Sequence, residues 1–280
     1  MVKNMSTRIK SAAVAIVIAI IALILHNTFI FNLFIGFISV VAVFEIFRAT
    51  GMDKFKYQAI ACYVFAGLDA LMPVFYKHGL LYFVSYRLYL GLYVLAMCIL
   101  YLYDHKNFKY DNFFFMMGAT VLLSYSFGML INMSNMEVGG VFLIVLTLAG
   151  AWLADSGAYF VGRKFGKTHP WPEISPNKTL EGLIGGVVCN GIFLLIISFV
   201  YDVILKGASV RYVMVFFAGM ACALIGLVGD LTASMIKRQT GIKDYGNIMP
   251  GHGGIMDRFD SVILVAPFMY YLISQGLILK

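Results

Sequence analysis

Charged residues are scarce in this sequence. Asp, Glu, Lys and Arg make up 12% of the 280 residues, and apolar residues make up 61%, whereas a soluble domain carries about 25% charged residues. With a mean hydropathy of +0.87, the chain has too few polar side chains to cover a surface that faces water. This composition excludes an ordinary soluble domain and predicts an integral membrane protein.

Cysteine is sparse as well, and its placement excludes two kinds of site. Cys62, Cys98, Cys189 and Cys222 each lie inside an apolar run, and none forms a Cys-x-x-Cys pair. Neither a disulfide framework nor a zinc site is indicated, so we interpret these residues as small apolar packing residues. The sequence also lacks a convincing internal repeat, a feature that many transporters have.

The apolar runs that remain are continuous and close to 20 residues long, which is the length of a transmembrane helix. A transmembrane β-barrel would instead show alternating segments of about ten residues. Because backbone groups in a bilayer must bond internally, we predict an all-α, polytopic transmembrane helical bundle of about nine helices. It forms a single integral-membrane domain over residues 1–280, in which 1–135 supply N-terminal helices and 136–280 supply further helices and the polar loops that carry the candidate site. The predicted spans are residues 11–25, 28–47, 57–76, 80–103, 112–131, 138–161, 183–201, 210–236 and 259–279.

Basic residues recur in alternate loops, so the net charge of +7 indicates membrane orientation and acidic lipids, and no nucleic-acid partner is predicted. About 16 Lys and Arg residues fall on the side of the N-terminal tail, and about four fall on the other side. This asymmetry predicts a cytoplasmic N-terminus and places the two most polar loops, residues 162–182 and 237–258, in the cytoplasm. The first span is predicted to be a retained helix, since no small-residue cleavage site follows Leu25.

The segment 234–260 differs from the other loops because it concentrates charged residues and glycines between two apolar spans. Asp257 and Asp260 are three residues apart, so they share one face if they are helical. Paired carboxylates are ligands that magnesium accepts together with water and substrate phosphates. Glycine backbone with free N–H groups can approach a phosphate closely, and Lys and Arg side chains stabilise phosphate oxygens.

Asp230 lies toward the end of the eighth predicted span, where an ionisable group is costly and indicates function. It either shares a metal with Asp257 or forms an ion pair with Lys237 or Arg238, and the nearby carboxylates favour the metal. The candidate site residues of this region are Asp230, Lys237, Arg238, Lys243, Asp244, His252, Asp257, Arg258 and Asp260, with Asp230 and Asp257 as candidate metal ligands; the resemblance described below makes them the predicted catalytic residues.

A third cluster begins at Asp155, near the end of the sixth predicted span, and continues to residue 182. Its hydroxyl, amide and ammonium groups precede a predicted helix, an arrangement suited to an anion. In the alternative interpretation Asn177 or Thr179 only caps that helix, and the neighbouring Arg and Lys residues only mark the cytoplasmic face. The predicted substrate-binding residues are Asp155, Ser175, Asn177, Lys178, Thr179, Glu181, Gly253 and Gly254.

Arg87 is a further charge, in the middle of the fourth predicted span. It is expected to be buried, either pairing with a carboxylate inside the bundle or lying at a helix interface, and both alternatives stay open. The four histidines His26, His78, His105 and His169 are isolated loop residues, which we interpret as incidental.

Residues 234–260 closely resemble the signature of the phosphatidate cytidylyltransferases (CDP-diacylglycerol synthases). That signature is Ser, two residues, Lys-Arg, four residues, Lys-Asp, then Pro-x-His-Gly-Gly-x-x-Asp-Arg-x-Asp, and it departs here only at Met249, where another apolar residue is usual. Residues 154–182 are similar to the family's second shared stretch, with Ala-Asp-x-Gly-Ala-Tyr, Gly-Arg-x-Phe-Gly-Lys and Ser-Pro-x-Lys-Thr-x-Glu-Gly intact. The N-terminal half resembles the family only in being helical and hydrophobic.

The resemblance implies an enzyme that joins CTP to phosphatidic acid, giving CDP-diacylglycerol and pyrophosphate. It also implies a multi-pass homodimer in the lipid bilayer of the plasma (inner) membrane, with a metal-containing cavity open to the cytoplasm. Asp230 and Asp257 correspond to the family's metal-binding carboxylates, for Mg²⁺ with K⁺ as a second candidate cation. Asp260 is then an additional ligand or an orienting group, and the basic residues of the signature hold phosphates.

Two other functions compete with this one. A CTP-using enzyme of polyprenol or archaeal ether-lipid metabolism would share the membrane setting, but the complete signature favours phosphatidate. A cation transporter would use Asp155, Asp230 and Asp257 as an ion path. Such a path places acids near the midplane of several helices, whereas these three lie toward helix ends beside basic loops.

Overall fold

The computed structural model describes residues 2–77, 84–205 and 209–279 of the chain. These residues form eleven α-helices, a 3₁₀ turn at Met52–Lys54, and no strand beyond isolated bridges. The helices are α1 Val2–Ile24, α2 Phe29–Thr50, α3 Lys56–Asp69, α4 Met72–Lys77, α5 Tyr86–Tyr103, α6 Tyr110–Ser134, α7 Gly140–Phe165, α8 Leu180–Leu205, α9 Tyr212–Gln239, α10 Met256–Phe259 and α11 Val262–Ser274.

Six of the described helices are long and apolar enough to cross a membrane, namely α2, α5, α6, α7, α8 and α9. The predicted all-α, multi-pass helical bundle is therefore confirmed, while the number of nine crossings stays a prediction. Helix α11 has 13 residues, which corresponds to about 20 Å, and this is shorter than the hydrocarbon core of a bilayer.

Two predicted spans are broken. The third is divided between α3 and α4 at Ala70 and Leu71, because Pro73 fits the first turn of a helix but not its interior. The side-chain amide of Asn32 donates a hydrogen bond of 2.9 Å to the Ala70 carbonyl that this break exposes. The ninth, predicted over 259–279, has a turn at Asp260 and Ser261 near its start, and helix α11 occupies only Val262–Ser274 of it.

The prediction for Arg87 was wrong. Helix α5 begins only at Tyr86, with the Ser85 hydroxyl accepting a hydrogen bond of 3.2 Å from the amide of Leu88. Arg87 therefore lies in the first turn of the helix, and its side chain is exposed. The predicted span began at residue 80, but residues 78–83, including His78, lie outside the described residues.

The chain divides into two compact units. Unit 1 contains Met1–Ile131 and Thr240–Arg258, and unit 2 contains Asn132–Gln239 and Phe259–Lys280. In unit 1, α2 packs on α3, and the Phe65 ring stacks on Tyr93 with 4.1 Å between ring centroids. All four cysteines are free, and Cys62 and Cys222 are buried, as the packing interpretation expected.

The core of unit 2 is formed by α7, α8 and α9. Helices α7 and α8 approach closely because small residues face each other, as is common between membrane helices. A methyl group on Gly186 would lie 2.8 Å from the carbonyl oxygen of Ala154, and one on Gly157 would lie 2.7 Å from Cβ of Cys189. The buried amide of Asn190 in α8 donates to the carbonyls of Gly150 in α7 and Gly219 in α9, at 2.9 and 2.7 Å.

Candidate active site

A cavity of about 590 Å³ lies in unit 2, between the end of α7, the start of α8 and the loop that joins them. Five of the predicted substrate-binding residues line it, and the adjoining basic and aromatic side chains include three that the sequence analysis did not assign to a substrate. The predicted five are Asp155, Ser175, Asn177, Lys178 and Thr179, and the additional three are Arg163, His169 and Trp171.

Lys178 is the point where two predicted acids meet. Its ammonium group forms an ion pair with the Asp230 carboxylate of α9, and it lies 3.9 Å from an oxygen of Asp155 in α7. Only about a fifth to a quarter of the Lys178 and Asp230 side chains is exposed, whereas Asp155 is 63% exposed. The loop before α8 thus supplies a cation to carboxylates from the two neighbouring helices, and Lys178 is a partner of Asp230 that the sequence analysis did not suggest.

Asp260 extends this acidic group. It lies in the turn before α11, where its carboxylate accepts a hydrogen bond of 2.7 Å from the backbone amide of Ser261. Burial and the adjacent Asp230 carboxylate raise the pKa of Asp260, and Ser261 and Lys237 oppose that shift. Two carboxylates in contact repel each other when both are ionised, so this pair is stabilised by an added cation.

Glu181 and Thr179 have local structural partners. The Glu181 carboxylate accepts hydrogen bonds from the amides of Lys167 and Thr168, at 3.0 and 3.2 Å, and from the Thr168 hydroxyl at 3.0 Å. It does not line the cavity; it ties the preceding loop to α8. Thr179 Oγ1 accepts from the Gly182 amide at 3.1 Å, so this residue caps α8, as the alternative interpretation described, and also lines the cavity.

Asp257 organises the other polar loop, which belongs to unit 1. Its Oδ2 atom accepts hydrogen bonds from the backbone amides of Tyr245 and Gly254, at 2.8 and 3.0 Å. The tip of the loop is a tight turn, in which Gly251 and Gly253 have φ angles of +80° and +88°. These angles favour glycine, which has no Cβ atom to clash. We define residues 245–257 as the signature loop.

Helices α1 and α2 hold the signature loop in unit 1. The Ser11 hydroxyl of α1 donates to the Pro250 carbonyl at 2.9 Å and lies 2.9 Å from His252 Nδ1. In α2, Arg48 donates to the Tyr245 carbonyl at 3.0 Å, and Glu45 accepts from the Met256 amide at 2.8 Å. The sequence analysis missed Glu45, although an isolated acid in the apolar run 28–47 is the signal that could have identified it.

The remaining predicted catalytic residues are divided between the two units. In unit 1, Lys243, Asp244 and Arg258 are exposed. In unit 2, Lys237 is partly exposed, and Arg238 donates to the carbonyl of Ile174 in the loop beside the cavity at 3.2 Å. Each unit therefore carries basic residues suited to phosphate oxygens.

The donor groups of the site decide whether it fits a metal ion. Among the described residues, no group of three or more His, Cys, Asp or Glu side chains is arranged to hold a metal ion. Asp230 and Asp260 nevertheless offer adjacent carboxylates, with the ammonium group of Lys178 beside Asp230. Magnesium commonly binds through one or two carboxylates, with water and substrate phosphates completing its shell, so the donor set fits a metal that arrives with a phosphorylated substrate.

Residues 6–275 match the sequence model of the cytidylyltransferase family. The phosphatidate cytidylyltransferase of Bacillus subtilis (strain 168) is 32% identical over 275 residues, which cover 97% of this chain and 98% of that protein. The phosphatidate cytidylyltransferase of Aquifex aeolicus (strain VF5) is 33% identical over 174 residues, 62% of each chain. The one from Staphylococcus haemolyticus (strain JCSC1435) is 41% identical over 136 residues, about half of each chain. The chain therefore belongs to the cytidylyltransferase family.

Proposed function

We propose that this membrane enzyme transfers the cytidylyl group of CTP to phosphatidic acid, which gives CDP-diacylglycerol for phospholipid synthesis and releases pyrophosphate. The observation that carries the proposal is the family match over residues 6–275, with a relative named for this reaction that is matched over 98% of its own length. The cavity of unit 2 supports it, because Lys178, Arg163 and the backbone at the start of α8 offer donors to a phosphate.

In the proposed reaction a phosphate oxygen of phosphatidic acid attacks the α-phosphorus of CTP. A new oxygen–phosphorus bond forms as the bond to the β-phosphate oxygen breaks, and pyrophosphate leaves with that electron pair. Because the nucleophile is already an anion, no strong general base is needed. Positioning the substrates and neutralising their charge therefore account for most of the catalysis.

The chain's own residues then have separate roles. Lys178, held by Asp230 and near Asp155, presents its ammonium group to a phosphate, and Ser175 and Asn177 add donors beside it. Lys237, Arg238, Lys243 and Arg258 bind phosphates of the two substrates. We assign Mg²⁺ to Asp230 and Asp257, with Asp260 as a further ligand or orienting group and K⁺ as a second candidate cation. When bound, Mg²⁺ supplies positive charge to phosphate oxygens and to the leaving pyrophosphate.

The cellular setting follows from the two substrates. CTP is soluble, whereas phosphatidic acid keeps its acyl chains in the bilayer and its head group at the interface. The chain is a multi-pass membrane protein, and its relatives are bacterial. We propose that it lies in the plasma membrane as a homodimer, with its N-terminus and both polar loops in the cytoplasm.

Pyrophosphate release tests the reaction directly. Detergent-purified protein is given CTP, magnesium and phosphatidic acid, with each omitted in turn, and the lipid products are extracted. We expect release only when all three are present, with CDP-diacylglycerol in the extract. Release with dolichol or an ether-linked lipid, but not with phosphatidic acid, would change the substrate and keep the chemistry. If folded protein releases no pyrophosphate with any acceptor, the proposed cytidylyltransferase activity is refuted.

A further inference from the structure

Glu45 is buried in α2, with 1% of its surface exposed, and its partners come from the signature loop. Its Oε2 atom accepts the Met256 amide at 2.8 Å. The carboxylate also lies between two glycines of that loop. A Cβ atom on Gly246 would lie 2.8 Å from Cδ of Glu45, and one on Gly254 would overlap both carboxylate oxygens. Close packing of this kind leaves the loop backbone little freedom to move away from α2.

The hydrogen bond that Glu45 accepts comes from a backbone amide beside Asp257. Met256, whose amide Glu45 binds, is the residue immediately before Asp257. Gly254, against which the Glu45 carboxylate packs, is itself a hydrogen-bond donor to Asp257 Oδ2. One side chain of α2 therefore binds the amide just before Asp257 and packs against Gly254, a residue whose amide donates to the Asp257 carboxylate. Rigid neighbours are required to hold a functional side chain in place. Glu45 is therefore placed to determine where the Asp257 carboxylate lies.

A second contact lies one helical turn further along α2. Arg48, three residues after Glu45 and on the same face, donates to the Tyr245 carbonyl at 3.0 Å. The Tyr245 amide also donates to Asp257 Oδ2. Helix α2 thus holds the first residue of the signature loop through Arg48 and the end of that loop through Glu45.

We propose that Glu45 is a positioning residue that fixes the backbone before Asp257 and so sets the direction of the Asp257 carboxylate. The catalytic part of this inference rests on the proposed function, whereas the structural part does not. The proposed role depends on the length of the Glu45 side chain, which brings an acceptor oxygen from α2 to the Met256 amide and packs the carboxylate against Gly246 and Gly254. The helix that carries no part of the family signature is then the support on which the signature loop depends.

Hydrogen–deuterium exchange of the purified protein tests the structural part, without CTP, lipid or metal. Glu45→Ala should accelerate exchange at least tenfold in peptides covering residues 245–257, and leave peptides from α7 and α8 unchanged. Glu45→Asp keeps the charge but shortens the side chain by one methylene, so it should resemble the alanine variant. Glu45→Gln keeps both the length and an acceptor, so its loop exchange should stay within about threefold of wild type.

Two variants of the same helix serve as matched controls. Ser39→Ala removes an equally buried hydroxyl that has no hydrogen-bond partner in the described part of the chain. Asn32→Ala removes the bond from α2 to Ala70 and should lower the unfolding temperature. Neither variant should change exchange in the signature loop, because the Asn32 bond goes to Ala70 and the Ser39 hydroxyl has no hydrogen-bond partner in the described part of the chain.

Turnover supplies the second readout. Displacing a catalytic group by about 1 Å can reduce a rate about 100-fold, so Glu45→Ala and Glu45→Asp should lower kcat by about that factor and raise the magnesium concentration needed for half-maximal rate. The KM for CTP should change much less, and Glu45→Gln should retain at least a tenth of kcat.

Three outcomes would overturn the inference. The first is unchanged loop exchange in Glu45→Ala, and the second is equal acceleration throughout the protein in both Glu45→Ala and Glu45→Asp. The third is the opposite ranking of the variants, in which loop exchange in Glu45→Asp resembles that of wild type and loop exchange in Glu45→Gln resembles that of Glu45→Ala. The charge of residue 45, and not the length of its side chain, would then hold the loop. If wild-type protein transfers no cytidylyl group to any acceptor, the proposed function fails, and the exchange experiment still decides the role of Glu45.

Discussion

Lys178 is the residue on which the acidic side chains of unit 2 converge. Its ammonium group pairs with Asp230 and lies 3.9 Å from Asp155, so it both neutralises these carboxylates and faces the cavity. Replacing Lys178 with Met removes a donor to phosphate and leaves the acids without their counter-charge. We expect kcat/KM to fall at least 100-fold, the effect of losing one preorganised donor to a transition state. Pyrophosphate release at saturating magnesium measures this loss.

Two further variants separate charge from geometry at this position. Lys178→Arg keeps the positive charge but replaces a compact ammonium with a planar guanidinium, so intermediate activity is expected. Lys106→Met removes a charge from an exposed turn between α5 and α6 and should leave turnover unchanged. Equal activity in Lys178→Met and wild type would contradict the assigned role.

Asp257 combines a structural and a proposed catalytic role in one side chain. Its Oδ2 atom accepts two backbone amides, and an asparagine oxygen can still accept them. Asp257→Asn should therefore express normally and unfold at nearly the wild-type temperature, while pyrophosphate release is abolished because the carboxylate charge for magnesium is lost. Thermal unfolding and turnover are measured on the same preparation.

The control for Asp257 is Asp53→Asn, a change at an exposed acid of the 3₁₀ turn, which should have no effect. Turnover like that of wild type in Asp257→Asn would refute the metal assignment. A large fall in its unfolding temperature would show that the charge of Asp257 is needed for the loop itself.

The site residues could be predicted from the sequence to different degrees. Asp155, Lys178 and Asp230 can be selected as candidates from the sequence, because charges beside apolar runs are rare and costly. The sequence could not supply the pairing of Lys178 with Asp230, because the two are 52 positions apart and meet only when α8 packs on α9. Glu45 was missed for the same reason, since its partner is 211 residues away.

At the scale of elements, hydropathy identified the long helices and misplaced several of their ends. Helix α7 continues to Phe165, beyond the predicted end at residue 161, because polar residues extend a helix without adding to its hydropathy. The breaks at Ala70 and Asp260 were also missed. The length of an apolar run predicts how long a membrane segment is, but not where its helix breaks. A break depends on local features such as Pro73 and on tertiary contacts such as the hydrogen bond from Asn32.

Asn190 connects three helices, and this makes it a test of how unit 2 is held together. Its amide reaches carbonyls of both α7 and α9. Replacing it with Leu keeps a similar volume and removes both hydrogen bonds. Side-chain hydrogen bonds between membrane helices average about 0.6 kcal/mol and reach about 1.7 kcal/mol, so we expect Asn190→Leu to destabilise the protein by about 1–2 kcal/mol.

The same helix offers a matched control for Asn190. Ser198 is equally buried, and its hydroxyl has no hydrogen-bond partner among the described residues. Ser198→Ala should therefore be neutral or slightly stabilising. Denaturant or thermal unfolding in detergent compares the two variants, and equal stability of Asn190→Leu and wild type would refute the proposed connection.

At the scale of the whole molecule, the Lys and Arg asymmetry predicts which loops face the cytoplasm. Helix α6 is long enough to cross the membrane, so the turns before and after it should lie on opposite sides. In a background without the four native cysteines, Lys106→Cys should react with a membrane-impermeant maleimide only after the cells are permeabilised. Glu137→Cys should react in intact cells, and the reverse pattern would invert the proposed orientation.

The signature loop belongs to unit 1, although the chain reaches it only after passing through α7, α8 and α9 of unit 2. Glu45 and Met256 are separated by 211 positions, and ribosomes add about 5–20 residues per second, so about 10–40 s pass between their synthesis. During that interval α2 is already made, and its carboxyl group has no loop to bind. The N-terminal unit is thus among the last parts of the molecule to be completed, and a nascent chain arrested in α8 or α9 leaves it unfinished.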